Sequence, residues 1–235
     1  MRRYGETRHT CNKVTRVLNS SPAKPSTMDI IPTSLLLRCK GVFSEIIAYL
    51  ANLSFVEGKF PTLFKQALVT PLIKGQSLDK SVPSNYRPIS NLNFISKILE
   101  RLFLSQFQPH ILTAPNFNKF QSAYWPGCST ETALQLLLDN IYSTADTGKP
   151  TFLVSLDLSA AFDTIDHAVL LKRLHSSFGI TGTVHSWLQS YLTGRTQSVK
   201  TGNHSSPVIP SLVGVPQGSV LGPLLFPSTP HQFPL

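Results

Sequence analysis

The sequence predicts an α+β fold. Apolar residues recur at helical spacing in several stretches, and shorter runs rich in β-formers lie between them. The two kinds mix without strict βαβ alternation, which argues against a doubly wound parallel sheet. With 41% hydrophobic residues and a mean hydropathy of +0.04, the chain is globular rather than disordered. At 235 residues it can bury a sizeable core in one or two domains.

Taken in order, residues 1–28 read as a flexible basic lead-in: an Arg-rich start followed by SSPAKPSTM with two prolines. Residues 35–53 form a helix, because Leu36, Phe43, Ile46, Ile47, Leu50 and Leu53 approximate a 3.6-residue stripe; Gly58 and Pro61 close it. Residues 66–74 (QALVTPLIK) read as a strand, and Pro71 places it at a sheet edge. Residues 75–83 are a loop. Residues 96–104 are helical, with Ile98, Leu99, Leu102 and Phe103 on one side. Residues 130–141 are helical, with Ser129 as N-cap. Gly148 and Pro150 then break the chain before an apolar run, Phe152, Leu153, Val154 and Leu156, read as a buried strand that ends on Asp157. Residues 168–176 and 184–192 are short helices, punctuated by Gly179 and Gly194. Residues 195–201 and 206–213 flank Gly202 and Asn203 as a hairpin. Residues 214–218 turn into a helix starting at Ser219.

Charge is unevenly placed. The chain carries a net +9, yet residues 1–120 hold 16 Lys/Arg against 6 Asp/Glu, while residues 121–235 hold 5 against 6. A polyanionic partner is implied, with the first half on its phosphates. Cys11, Cys39 and Cys128 include no C-x-x-C pair, so neither a zinc site nor a disulfide framework is indicated; reduced thiols fit a nuclear or cytoplasmic protein. No apolar run approaches the roughly 18 residues of a membrane span, and no cleavable apolar segment follows the basic start, so the chain is not expected to be secreted.

Residues 153–167, LVSLDLSAAFDTIDH, carry the chemistry. A strand that ends on a carboxylate and opens into a small-residue turn presents that carboxylate at the end of a sheet, where hard cations are held together with substrate phosphates. Asp166, just before a helical run, is by contrast an N-cap. Three other blocks stand in register with this one: NYRPISNL (residues 85–92), FQSAYWPGCSTETAL (residues 120–134) and GVPQGSVLGPLLF (residues 214–226). In this order the four blocks resemble the reverse transcriptase of non-LTR (LINE-type) retrotransposons, over roughly residues 29–226.

The resemblance implies an RNA-directed DNA polymerase that uses an RNA template, a DNA primer, dNTPs and two Mg²⁺ ions. It divides the chain into fingers (about 29–148) and part of a palm (about 149–226) of a right-handed polymerase, with the thumb absent and residues 227–235 outside the family pattern. By this resemblance Asp157 is the catalytic first metal ligand, and the backbone carbonyl of Leu158 assists the second metal. Phe162 is the steric gate against a 2′-hydroxyl. Lys74 and Arg87 grip the triphosphate. Gln217 sits near the incoming nucleotide, and Gly218 lets backbone approach the templating base. Tyr124 and Trp125 either stack on a template base or pack in the core.

The sequence departs from the family pattern in four places. Trp125 stands where an Arg is usual, and Cys128 where a His is usual. There is no Asp-Asp pair, and the chain ends in PSTPHQFPL, with three prolines, rather than an apolar helix. Two metals need bridging oxygens from at least two carboxylates. Asp163, close to Asp157 in sequence, is expected to face elsewhere. The expectation is a fragment that is inactive alone, the alternative being a catalytically dead remnant that binds nucleic acid. Leu221, Leu224, Leu225 and Phe226 are expected to lack cover. Lys74, Arg87, Asp157, Phe162 and Gln217 are expected around one cleft.

Overall fold

The computed structural model describes residues 8–118, 120–125, 127–157 and 160–228. Its core is helical and aromatic. Helices α1 (Cys11–Ser20), α3 (Lys40–Glu57), α4 (Phe94–Thr113), α6 (His167–Phe178) and α7 (Gly182–Leu192) contribute to one buried apolar cluster, in which Trp187 is 1% exposed. Phe103 stacks on Trp187 at 4.0 Å, while Phe60 meets Trp187 and Tyr191 edge-on at 5.4 and 5.2 Å. Such offset and edge-on contacts suit the ring quadrupole. The Trp187 indole N–H donates to Ser54 Oγ at 2.9 Å, so its burial leaves no orphan donor.

Beside this core lies a mixed sheet. Strand β1 (Gln66–Ile73) pairs antiparallel with β2 (Tyr86–Asn91) and parallel with β3 (Arg195–Thr201); β3 also pairs antiparallel with β4 (His204–Ser205) and β5 (Ile209–Ser211). The α+β expectation holds as a sheet with helices packed around it. The expected hairpin forms, with its return strand split into β4 and β5.

Several elements differ from expectation. Residues 11–20, expected in a flexible lead-in, are helical, because Val14 and Leu18 are one turn apart and both fully buried. His9 and Asn52 lock the entry reciprocally, His9 N–H to Asn52 Oδ1 at 2.7 Å and Asn52 Nδ2–H to His9 O at 3.0 Å. The single helix expected over residues 35–53 is two, α2 (Thr33–Arg38) and α3, broken at Cys39. Strand β1 is central, not an edge. Pro71 is tolerated there because the parallel ladder with β3 stops at Val69, and on the other side Pro71 faces Pro88, which also lacks an N–H.

Residues 151–157 do not form the expected buried strand. Phe152 is 91% exposed and Val154 77%, and no described strand runs alongside them. A strand needs a neighbour for its N–H and C=O groups, and this run has none among the described residues. The uncovered end expected at residues 221–226 is also corrected. Helix α8 (Gly222–Leu225) is short, but Leu221 and Leu225 are fully buried, Leu224 is 8% exposed and Phe226 packs on the same core.

Candidate functional site

A cleft of about 830 Å³ opens between the β1–β2 end of the sheet and the turn that follows Gly214. It is lined by Lys74 and Arg87 on one wall, by Ala160–Asp163 and Tyr124 on another, and by Pro216–Ser219 along the floor.

Each wall has a local cause. Lys74 directly follows β1, and its N–H donates to Asn85 O at 2.8 Å; its ammonium donates to Ser84 O at 2.8 Å. Arg87 lies in β2 opposite Leu72, and both cations are exposed. The turn before Asp163 is tight, with Asp163 N–H donating to Ala160 O at 2.8 Å and Ala160 in the left-handed region at φ 52°. That turn brings Phe162 and Asp163 to the cleft.

The Gly214–Gly218 turn is clasped from both sides. Gly214 N–H donates to Ile165 O at 2.7 Å and Val215 N–H to Phe162 O at 2.8 Å. His167 Nε2 donates to Gly214 O at 2.7 Å. Gly214 has φ +79°, and a Cβ there would lie 2.8 Å from Asp163 O, so only glycine fits. On the other side, Ser90 N–H donates to Gln217 O at 2.8 Å. Gly218 has φ +119°, and a Cβ on it would meet Ser90 O at 2.8 Å. Within the chain, then, the close approach that Gly218 permits is to strand β2.

Five residues singled out in the sequence, Lys74, Arg87, Phe162, Gln217 and Gly218, thus line one cleft. Asp157 does not line it and is exposed on the unpaired run; Leu158 lies outside the described residues. Asp163, expected to face away, is the carboxylate in the cleft. Gln217 Nε2–H donates to its Oδ2 at 3.3 Å. Partial desolvation holds the Asp163 carboxyl above the usual carboxylate range, and the Gln217 hydrogen bond opposes that shift. Among the described residues, no group of three or more His, Cys, Asp or Glu is placed to hold a metal ion.

Two further features were not anticipated. Tyr124 (φ 62°) and Ala160 (φ 52°) are the non-glycine residues with left-handed backbone among those described, and both line this cleft. Strain of this kind gathers at functional sites. The second feature is Glu100, fully buried in α4. Its carboxylate accepts from the N–H groups of Val220 (2.7 Å) and Leu221 (3.1 Å), from the Tyr191 hydroxyl (3.2 Å) and from the Ser96 hydroxyl (3.3 Å). Burial pushes its pKa up, against the nearby Arg195 and the hydrogen bonds from Leu221, Val220 and Tyr191. It anchors from behind the segment whose front, Gln217–Gly218, floors the cleft. Its signal in the sequence was a charge inside an apolar stripe, one turn from Ser96 and one from Phe103.

Comparison with known proteins agrees with the cleft. Residues 74–234 match the reverse transcriptase (RNA-dependent DNA polymerase) family. The chain is 32% identical over 169 residues, 71% of its length, to a probable RNA-directed DNA polymerase from transposon BS of Drosophila melanogaster, covering 18% of that protein. It is 28% identical over 209 residues to the corresponding probable polymerase of transposon X-element, covering 89% of the chain and 22% of the relative. It is 29% identical over 182 residues to the RNA-directed DNA polymerase from mobile element jockey, covering 77% and 20%; both are from the same fly. The chain therefore spans about a fifth of the length of these relatives. With a match over most of its length and its blocks gathered on one cleft, the chain belongs to the reverse transcriptase family, among the enzymes of LINE-type non-LTR retrotransposons.

Proposed function

We propose that the cleft is the nucleotide-binding wall of an RNA-directed DNA polymerase that extends a DNA primer on an RNA template. The observation that carries this is the convergence of Lys74, Arg87, Phe162 and Gln217 on one cleft from four separate parts of the sequence. Arg87 offers a planar fork to phosphate oxygens and Lys74 a point charge. Phe162 closes the space a 2′-hydroxyl needs. The Gln217 amide, held through its Nε2 by Asp163, would leave its carbonyl oxygen to accept from a bound nucleotide. Residues 29–148 act as fingers and 149–226 as part of a palm. The protein works in the nucleus or cytoplasm within a ribonucleoprotein. No described helix is long and apolar enough to cross a membrane.

Mg²⁺ would supply activation of the primer hydroxyl and stabilisation of the leaving pyrophosphate. Asp157 and the Leu158 carbonyl are its expected ligands, but the described residues do not fit a two-ion centre: Asp157 is outside the cleft and Asp163 stands there alone. We therefore read this chain as binding nucleotide without turning it over. The test is primer extension on poly(rA)/oligo(dT) with Mg²⁺ or Mn²⁺, beside calorimetric binding of dTTP. The expected result is no incorporation above an Asp157→Ala control, together with dTTP affinity that falls about tenfold in Arg87→Ala. Incorporation above that control overturns the inactivity, and unchanged binding in Arg87→Ala overturns the cleft assignment. A second reading, a nucleic-acid-binding remnant, is favoured by the charge of residues 1–120 alone.

A further inference from the structure

We infer that Tyr124 is the platform on which the base of a cleft-bound nucleotide stacks, which rests on the nucleotide-binding reading above. Tyr124 and Trp125 are adjacent aromatics, and only Tyr124 lines the cleft. Trp125 turns to the body, where its ring lies 5.7 Å from Phe117 and helps line a small pocket with Leu104, Leu112 and Pro223. Tyr124 borders that pocket too, but it is 61% exposed and also lines the cleft, which Trp125 does not. The backbone at Tyr124 is left-handed, at φ 62°. A bulky residue in that region is an outlier that persists only where its surroundings hold it. Here the backbone bonds Trp125 N–H to Ser122 O and Cys128 N–H to Trp125 O, both 3.2 Å, fix the turn on either side.

Packing alone does not explain the result. Trp125 is the more buried of the two rings, and the left-handed backbone at Tyr124 holds a large ring that is 61% exposed. The ring's one aromatic neighbour among the described contacts is Phe162, edge-on at 6.2 Å and 82°. The cleft therefore has cations on one wall, Lys74 and Arg87, and an exposed flat ring on another. That pairing matches the two ends of a nucleotide, whose phosphates take the cations and whose base takes the ring. Stacking on a ring tolerates any base, because every base has a π-face.

The experiment uses the full 235-residue chain with dATP, dCTP and inorganic tripolyphosphate as probes, measured by titration calorimetry. In the wild type, dATP should bind more tightly than tripolyphosphate. Tyr124→Ala should weaken dATP about tenfold, dCTP less because its ring is smaller, and tripolyphosphate not at all. Tyr124→Phe should bind as the wild type does. Tyr124→Gly should remove the backbone strain, so its thermal midpoint should not fall, yet it should lose the same base-dependent affinity. Equal loss of dATP and tripolyphosphate in Tyr124→Ala, or no loss of either, overturns the stacking role. Wild-type affinity equal for dATP and tripolyphosphate also overturns it and leaves the phosphate wall standing. A wild type that binds neither overturns both.

Discussion

The helices around Trp187 and the stretch from α5 (Thr130–Asp146) to Asp157 are made of similar residues and fare differently. Helix α4 buries nine of its residues. Helix α5 buries none: Leu134, Leu136 and Leu138 are 45 to 52% exposed and Tyr142 63%. The difference separates what local sequence can build from what needs a partner. Helix α5 forms on local terms, with Ser129 and Thr132 closing a reciprocal capping box. The run at 152–157 has strand-type residues but no local way to satisfy its backbone, and it stays unpaired. The cleft belongs to the packed region, because its floor is tied to β2, α4 and α6. Asp157 belongs to the other.

The largest break should come at the packed region's buried charge. Glu100→Ala leaves Arg195 without its counter-charge and two N–H groups without an acceptor, and should cost about 3–5 kcal/mol. Denaturant unfolding checks it. A loss under 1 kcal/mol would mean that the carboxylate is not the anchor described here.

Next in size is Gly214→Ala. A methyl group there meets Asp163 O at 2.8 Å in a left-handed backbone, so a loss of about 1–3 kcal/mol is expected, with weaker dTTP binding as the floor shifts. Native stability and affinity together would sever the floor from the Ala160–Asp163 wall.

The packed region also carries a pH dependence. Burial, then the charge of Lys13, lowers the pKa of His9 from 6.5 to about 4. The folded state therefore favours neutral His9. Its contribution is present in full above pH 6.5 and is lost as pH falls from 6.5 towards 4, at a slope of up to about one proton. Unfolding free energy followed from pH 7 to 4 should show that fall, and His9→Asn should flatten it. An equal fall in both proteins places the acid sensitivity elsewhere.

What the sequence revealed divides along the same line. Caps were legible because they are local: Asp166 accepts from Val169 N–H, and Ser129 from Thr132 N–H. The cleft residues were legible only through family blocks, since nothing in Lys74 or Gln217 taken singly points to the other. Glu100 was missed because its partners Tyr191, Val220 and Leu221 lie 91 to 121 positions away. Asp163 was misplaced because its facing depends on the left-handed turn at Ala160, a conformation that composition does not favour. Pro71 argued for an edge strand, but the outcome turned on where the β3 ladder ends.

The smallest effect expected is on α5. Ser129→Ala removes the side chain that accepts from Thr132 N–H, a change that costs a helix about 1 kcal/mol locally. Because no residue of α5 is buried, that cost should not reach the rest of the fold. Amide exchange in residues 130–134 should quicken several-fold while the global unfolding midpoint stays put, and Leu138→Ser should change stability by no more than about 0.5 kcal/mol. The amides of residues 152–157 should exchange fast in every variant, since they have no ladder to open. A global loss above 1 kcal/mol in either variant would show that α5 is packed after all, and the contrast between the two regions would then be one of degree.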